Sequence, residues 1–178
     1  GRDDHARGRA RNTGGSTMTD LACQRLLCDC KVALAMLEEP EDDTAKWRVK
    51  WAGSVALLRA VGHVLLYEDA PADRELEKRM KERFSLWKEK REDNAIFWNF
   101  IVKERNSLLK HYRFGAYIED HVGLGTMVDG TTDIHALEGD LYRPFEGDYR
   151  PSDDSRDIYE EAVNWWSTQI EAIAERVQ

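Results

Sequence analysis

The apolar residues Cys23, Leu27, Cys30, Leu34 and Leu37 recur at alternating steps of four and three, and this period, repeated along most of the chain, limits the folds open to it. Residues so spaced share one face of an α-helix, and a helix with one apolar face must bury it against another element. The first helix ends at Pro40 and the acidic loop Glu41 to Asp43. Asp43 or Thr44 caps a second helix, whose stripe is Trp47, Trp51, Val55, Leu58, Gly62 and Leu65 and which stops before Pro71. A third starts at about Asp73 and carries Leu76, Met80, Phe84 and Trp87, with Lys and Arg filling its other sides. Asp93-Asn94 offers a cap for a fourth, which carries Phe97, Ile101 and Leu108 and closes near Gly115, the residue type preferred just past a helix end. From Gly115 to Pro151 the pattern changes: half of the 12 glycines lie there, no helical stripe is present, and a short hairpin is expected around Tyr142 to Tyr149. Ser152 or Asp154 opens the last helix, with Ile158, Ala162, Trp165, Trp166, Ile170, Ile173 and Val177 as its stripe.

These elements predict an all-α fold, an antiparallel bundle of four to five helices with one long irregular loop before the last helix. A chain of 178 residues fits one domain. Its segments are a disordered, Gly- and Arg-rich leader over 1–17, the helical bundle over 18–113, a Gly-rich acidic loop over 114–151, and a C-terminal helix over 152–178 that packs on the bundle. Met18 is a plausible native start. No internal repeat is visible.

Charge is unevenly placed. The formal net charge is −8, which argues against indiscriminate coating of nucleic acid. Yet residues 74–113 hold twelve basic against seven acidic side chains, whereas residues 114–178 hold four against fifteen. The basic block falls on the third and fourth helices, and the acidic segment is expected to dock near it and compete with a polyanion.

Three cysteines, Cys23, Cys28 and Cys30, lie on one helix. Their odd number and close spacing argue against a disulfide framework, and a reducing cytoplasm is the expected location. They read as small core residues in preference to metal ligands, because neighbouring helical positions point apart. No uncharged apolar run of membrane-spanning length and no signal-peptide core is found, so no membrane partner is expected.

The stretch Ile96 to Tyr112, IFWNFIVKERNSLLKHY, places Arg105-Asn106 and Lys110-His111-Tyr112 in an otherwise apolar helix. A half-buried arginine is expensive unless something pairs with it. On a straight helix Arg105 and Tyr112 share a face, while His111 lies about 120° round from Arg105, too far for both to grip one phosphate. A second copy of the helix supplies the missing partner. The bland alternative is that Arg105 pairs with Glu104, or with an acid from another helix, and that His111 is a satisfied histidine.

This segment resembles the Arg-polar-His signature of the HEPN superfamily, small helical domains found in RNases, toxins and defence proteins. Arg105, Asn106 and His111 fit its terms with five residues between Arg and His; Lys110 stands where the commonest spacing has the histidine. The helix WRVKWAGSVALLRAVGHVLLYE, Trp47 to Glu68, is also similar to the second helix of several members, and the resemblance covers about residues 18–112. It implies a metal-independent endoribonuclease acting on single-stranded RNA, with no cofactor and with a site composed across a homodimer. Arg105 would hold the phosphate, Asn106 would orient the phosphate or the arginine, and His111 would serve as general acid or base. Lys110 and Tyr112, together with Lys78, Arg79 and Lys81 of the basic helix, are the expected further RNA contacts. An antitoxin-like protein partner is also implied. The alternative within the same fold is a non-catalytic interaction or RNA-binding module.

Other groupings are weaker. Gly123-x-Gly125 followed by Gly130 lacks the spacing of a dinucleotide loop and reads as a turn. His121, Asp129, Asp133 and His135 follow no recognised metal-ligand pattern, and no metal is expected. His63, in an apolar helix, reads as a hydrogen-bonded core or interface residue. Trp47, Trp51, Trp87, Trp98, Trp165 and Trp166 fit packing better than base stacking.

Overall fold

The computed structural model describes residues 21–118, 121–138 and 142–175. The leader over 1–17 and Met18 lie outside the described residues. The chain is mainly α-helical, with one small antiparallel sheet.

Helix α1 (Ala22–Glu38) buries Cys23, Leu27, Cys30, Ala33 and Leu37. Leu34 of the expected stripe is only partly covered. The N-terminus of α1 is capped from far along the chain: the Asp69 carboxylate accepts from the Ala22 and Cys23 amides at 2.8 and 2.9 Å. Cys23 and Cys30 are buried and Cys28 is exposed, as opposite helix faces require. Burial is the main reason that the Cys30 thiol is pushed up to about 12.

Helix α2 (Thr44–Val64) starts on Asp43, whose carboxylate accepts from the Ala45 and Lys46 amides. It buries Trp47, Trp51, Val55 and Leu58 as the period predicts. A Cβ on Gly62 would meet the Trp166 ring at 2.9 Å, so glycine lets the last helix approach. The backbone does not stop before Pro71. It passes into a π-helical turn, Leu65–Asp69, and a 3-10 turn, Ala70–Ala72, in which Pro71 occupies the first turn. Thr44–Ala72 is long and apolar enough to cross a membrane by length and composition, although it holds no uncharged run of that length. In this structure α2 instead touches α1, α4 and α5, and its apolar residues serve those contacts.

Helix α3 (Arg74–Glu89) is capped by Asp73 and buries Leu76, Met80 and Trp87. The fourth helical segment is not uniform. A π-helical stretch, Ile96–Val102, precedes α4 (Lys103–His111), which ends well before Gly115 because Tyr112 adopts a left-handed conformation (φ 50°, ψ 41°). The Tyr112 amide turns back to the Leu108 carbonyl at 3.0 Å, closing the helix. Gly115 has another use: a Cβ would stand 2.5 Å from Glu104 Oε2 and from the Phe145 ring.

The long segment before the last helix is not wholly irregular. Strands β1 (His121–Val128) and β2 (Thr131–Glu138) pair antiparallel, with Val128 opposite Thr131 across an Asp129-Gly130 turn whose φ values are +50° and +76°. Both are positive, which is what a two-residue hairpin turn needs. The hairpin expected at Tyr142 to Tyr149 is replaced by single bridges, Ala116 to Phe145 and Pro144 to Asp154. Among the described residues β1 and β2 touch no other named element. Phe145 packs under Phe100 at 5.4 Å. Arg143 is buried, its guanidinium 4.2 Å from the Trp47 ring centre and one N–H donating to the Glu41 carbonyl.

Helix α5 (Ser155–Ala174) begins at Asp154, which accepts from the Arg156 amide and guanidinium. Its buried face includes Ile158, Tyr159, Ala162, Val163, Trp166, Ile170 and Ile173, and it packs on α1, α2 and α3. Trp47, Trp51, Trp87 and Trp166 are buried; Trp98 and Trp165 are half-buried at the edge of the cluster formed with Phe97 and Trp87.

Candidate phosphate site between the second and fourth helices

Glu104 fixes how α4 meets α2. Its carboxylate is buried and its Oε1 accepts from Trp51 Nε1 at 2.9 Å and from the Gly115 amide at 2.8 Å. Burial raises its pKa, and the two hydrogen bonds oppose that rise. Glu104 therefore does not pair with Arg105, which was the bland alternative.

Arg105 is half-buried and donates from Nη1 to Asn106 Oδ1 at 3.0 Å. Asn106 is thus held by its neighbour. No carboxylate among the described residues lies within ion-pair distance of Arg105. What lies near it is cationic. Arg59 and His63, one turn apart on α2, both have their pKa lowered, first by burial; repulsion by Arg105 adds to this for Arg59, and repulsion by Arg59 and then by Arg105 adds to it for His63. Arg59 has no carboxylate partner among the described residues either, and its guanidinium lies over the Phe97 ring at 5.8 Å. The His63 ring stacks on Tyr67 at 6.0 Å, nearly parallel.

The structure does not bring Arg105 and His111 together in one chain. His111 is exposed at the last helical position, about 9 Å farther along the axis than Arg105. Lys110 is exposed beside it. Tyr112 has left the helix, so it does not continue the face of Arg105, and its exposed ring rests on Phe114 at 5.1 Å. The basic residues of α3 are divided. Arg79 donates to the Ile173 carbonyl at 2.7 Å and Arg83 to Gln169 Oε1 at 2.8 Å. Lys81 pairs with Glu77 on its own helix, and Lys78 is exposed. The acidic segment does reach the basic helix, but it does so through a backbone carbonyl and an amide. One of its carboxylates, Asp148, pairs with Lys103 on α4 at 3.1 Å, and others pair nearer home, Glu161 with Arg150 and Asp154 with Arg156.

Compared with protein-family models, curated proteins and solved structures, the chain matches none. The site is accordingly read from its own residues. Sequence reasoning singled out Arg105 and Asn106, did not single out Arg59, and read His63 as a hydrogen-bonded core or interface residue. Their spacing of four, with an arginine across on α4, was the only signal, and it becomes visible only once α2 and α4 are in register. Of the loop residues, Asp133 and His135 lie 3.6 Å apart on an exposed strand. No metal-binding group of His, Cys, Asp and Glu is found among the described residues. The His121 side chain lies outside the described residues.

Proposed function

We propose that this chain is a HEPN-like helical bundle that binds the backbone of single-stranded RNA and, as a homodimer, cleaves it without a metal. The observation that carries this reading is Arg105, half-exposed, free of any carboxylate among the described residues and held by Asn106 while Glu104 turns into the core. A guanidinium so placed has donors to give to a phosphate and no internal counter-charge to leave.

Cleavage needs a second copy, because His111 stands too far along α4 to serve the phosphate held by its own Arg105. In the composite site the 2′-hydroxyl attacks the neighbouring phosphorus. Its proton passes to a base, a proton reaches the departing 5′-oxygen, and a cyclic phosphate and a free 5′-hydroxyl result. One histidine from each copy provides the base and the acid, and Arg105 offsets the charge that builds on the phosphoryl oxygens. A monomer would bind without cutting.

The test is cleavage of single-stranded RNA by the purified full chain in EDTA. Arg105→Ala and His111→Ala are each expected to abolish it, and activity should rise with the fraction of dimer seen by light scattering. Cutting that survives both substitutions would end the reading.

A further inference from the structure

We infer that the exposed Tyr112 ring is a shelf on which an unpaired base of single-stranded RNA stacks, a purine in preference to a pyrimidine, while Lys110 and Arg113 hold phosphates beside that base. This rests on the preceding reading for RNA as the ligand, and not for cleavage.

Two features of Tyr112 serve the fold poorly. Its backbone is left-handed (φ 50°, ψ 41°), where a side chain brings a strain that glycine avoids. The bonds that close α4 there need no side chain: the Tyr112 amide donates to the Leu108 carbonyl at 3.0 Å and the Arg113 amide to the Ser107 carbonyl at 3.3 Å. The ring, moreover, is 70% exposed and adds little to the core. Strain of this kind gathers where a side chain serves a ligand.

The ring is nonetheless held. Phe114 meets it edge to face at 5.1 Å, and Phe114 itself packs against the core. A rigid flat group so propped loses little freedom when a second flat group lies on it. Beside it in the chain stand Lys110, His111 and Arg113, all exposed, and among the described residues no carboxylate pairs with any of the three.

Charge complementarity names the occupant. An exposed ring with a cation on either side suits a polymer that alternates anionic and flat aromatic units, as a single-stranded nucleic acid does and an acidic peptide does not. Other exposed aromatics lack this setting. Tyr67 is 68% exposed but is followed by the exposed Glu68, and Phe84 already has Lys88 over its ring at 4.6 Å. Tyr112 stands seven residues beyond Arg105, about 10 Å along the axis, so one short strand reaches both. Stacking strengthens with the area of the base, which favours a purine.

The experiment measures binding to the full chain by fluorescence anisotropy with labelled 2′-O-methyl strands, which cannot be cut: oligoadenylate, oligouridylate and an abasic strand of equal length. Oligoadenylate is expected to bind about tenfold more tightly than the abasic strand, with oligouridylate between them. Tyr112→Phe should keep that ratio. Tyr112→Gly, and Tyr112→Asn, which also suits a left-handed backbone, should bring it to about one and melt no lower than the parent. Lys110→Ala with Arg113→Ala should keep the ratio and lower the slope of log affinity against log salt by about 1.4. Equal affinity for base-bearing and abasic strands, or a ratio that survives Tyr112→Gly, overturns the shelf. Oligouridylate above oligoadenylate overturns the purine preference, and polyglutamate that binds as tightly as oligoadenylate overturns RNA as the occupant in favour of a protein. Cleavage of unmodified RNA in EDTA is scored separately. A chain that cuts RNA but ignores the base at Tyr112 keeps the enzyme and loses the shelf, the reverse result keeps the shelf and loses the enzyme, and a chain that binds no strand loses both.

Discussion

Two groups of cations in this chain have opposite fates. Arg143, Arg79 and Arg83 face acceptors that belong to the protein: the Glu41 carbonyl, the Ile173 carbonyl and the Gln169 side chain. Arg59 and Arg105 repel each other, and among the described residues the pair has a single acceptor, Asn106 Oδ1, next to Arg105 on its own helix. The first group ties a loop and α3 to their neighbours, whereas the second adds repulsion to the interface of α2 with α4. The repulsion in the second arrangement costs the fold, and a bound anion would remove it. Net charge in a segment therefore says little about where a polyanion binds; what matters is which cations the fold has left without an acceptor on a neighbouring element.

The largest effect that can break this contrast is on stability. Arg143→Ala removes a fully buried side chain from the Trp47 ring and leaves the Glu41 carbonyl without its donor, and a loss of about 2–4 kcal/mol is expected in urea unfolding. Arg59→Met removes a repelled charge, and its unfolding midpoint should stay level or rise. Comparable losses in the two variants would mean that Arg59 also serves the fold.

Glu104 comes next, because it holds the second group in place. Glu104→Ala strands Trp51 Nε1 and the Gly115 amide, at a cost of about 2–3 kcal/mol. The parent carries a pH signature as well. Burial raises the pKa of Glu104 in the folded state above its unfolded value, so the folded form binds the proton more tightly. Stability conferred by that proton is present at acid pH and is lost as pH rises through the folded value. Glu104→Gln keeps an acceptor for Trp51 and should flatten this part of the stability profile. A profile that Glu104→Gln leaves unchanged would show that the carboxylate is not responsible.

Periodicity made the helices legible, because the apolar stripes follow from spacing alone, with Phe84 of the third left exposed; Asp43 and Asp154 were each one of two candidate caps, and the cap expected at Asp93-Asn94 is not formed, the segment opening on Ala95 with no side-chain cap. Other features were local but misread. Asp129-Gly130 is a strong two-residue turn signal, yet strands rich in Gly and Thr lack the alternation that announces a sheet. Tyr112 in a left-handed conformation ends α4 three residues before the glycine that looked like its stop. A third class was not local at all. Asp69 caps a helix that begins 47 residues earlier, and Arg59 is repelled by Arg105 across 46 positions; only tertiary packing reveals either.

RNA affinity sharpens the comparison at a smaller scale. Arg105→Ala should weaken binding of single-stranded RNA about tenfold, or about 1.4 kcal/mol, with little change in melting temperature. Arg79→Ala should do the reverse, since its guanidinium covers the Ile173 carbonyl near the end of α5: a loss of about 1 kcal/mol in stability with affinity kept. If affinity tracked Arg79 and ignored Arg105, the assignment of the two groups would be exchanged.

Lys78 and Lys81 give the smallest effect and the most direct reading of what exposure means on α3. Both are exposed, Lys81 paired with Glu77 on the same helix, and surface pairs of this kind stabilise little because water screens them and their side chains lose freedom. Neutralising both should leave the melting temperature unmoved. On RNA the two possibilities separate in the salt dependence: each cation that touches a phosphate contributes about 0.7 to the slope of log affinity against log salt for a single strand. The double substitution Lys78→Ala and Lys81→Ala should leave that slope where it was, because the expected RNA path runs between α2 and α4. A fall of about 1.4 would place the strand across α3 and restore the role that charge counting gave it. Since α3 also holds Arg79 and Arg83 against α5, such a path would have to use only the face of α3 turned away from α5, the face on which Lys78 and Lys81 are exposed.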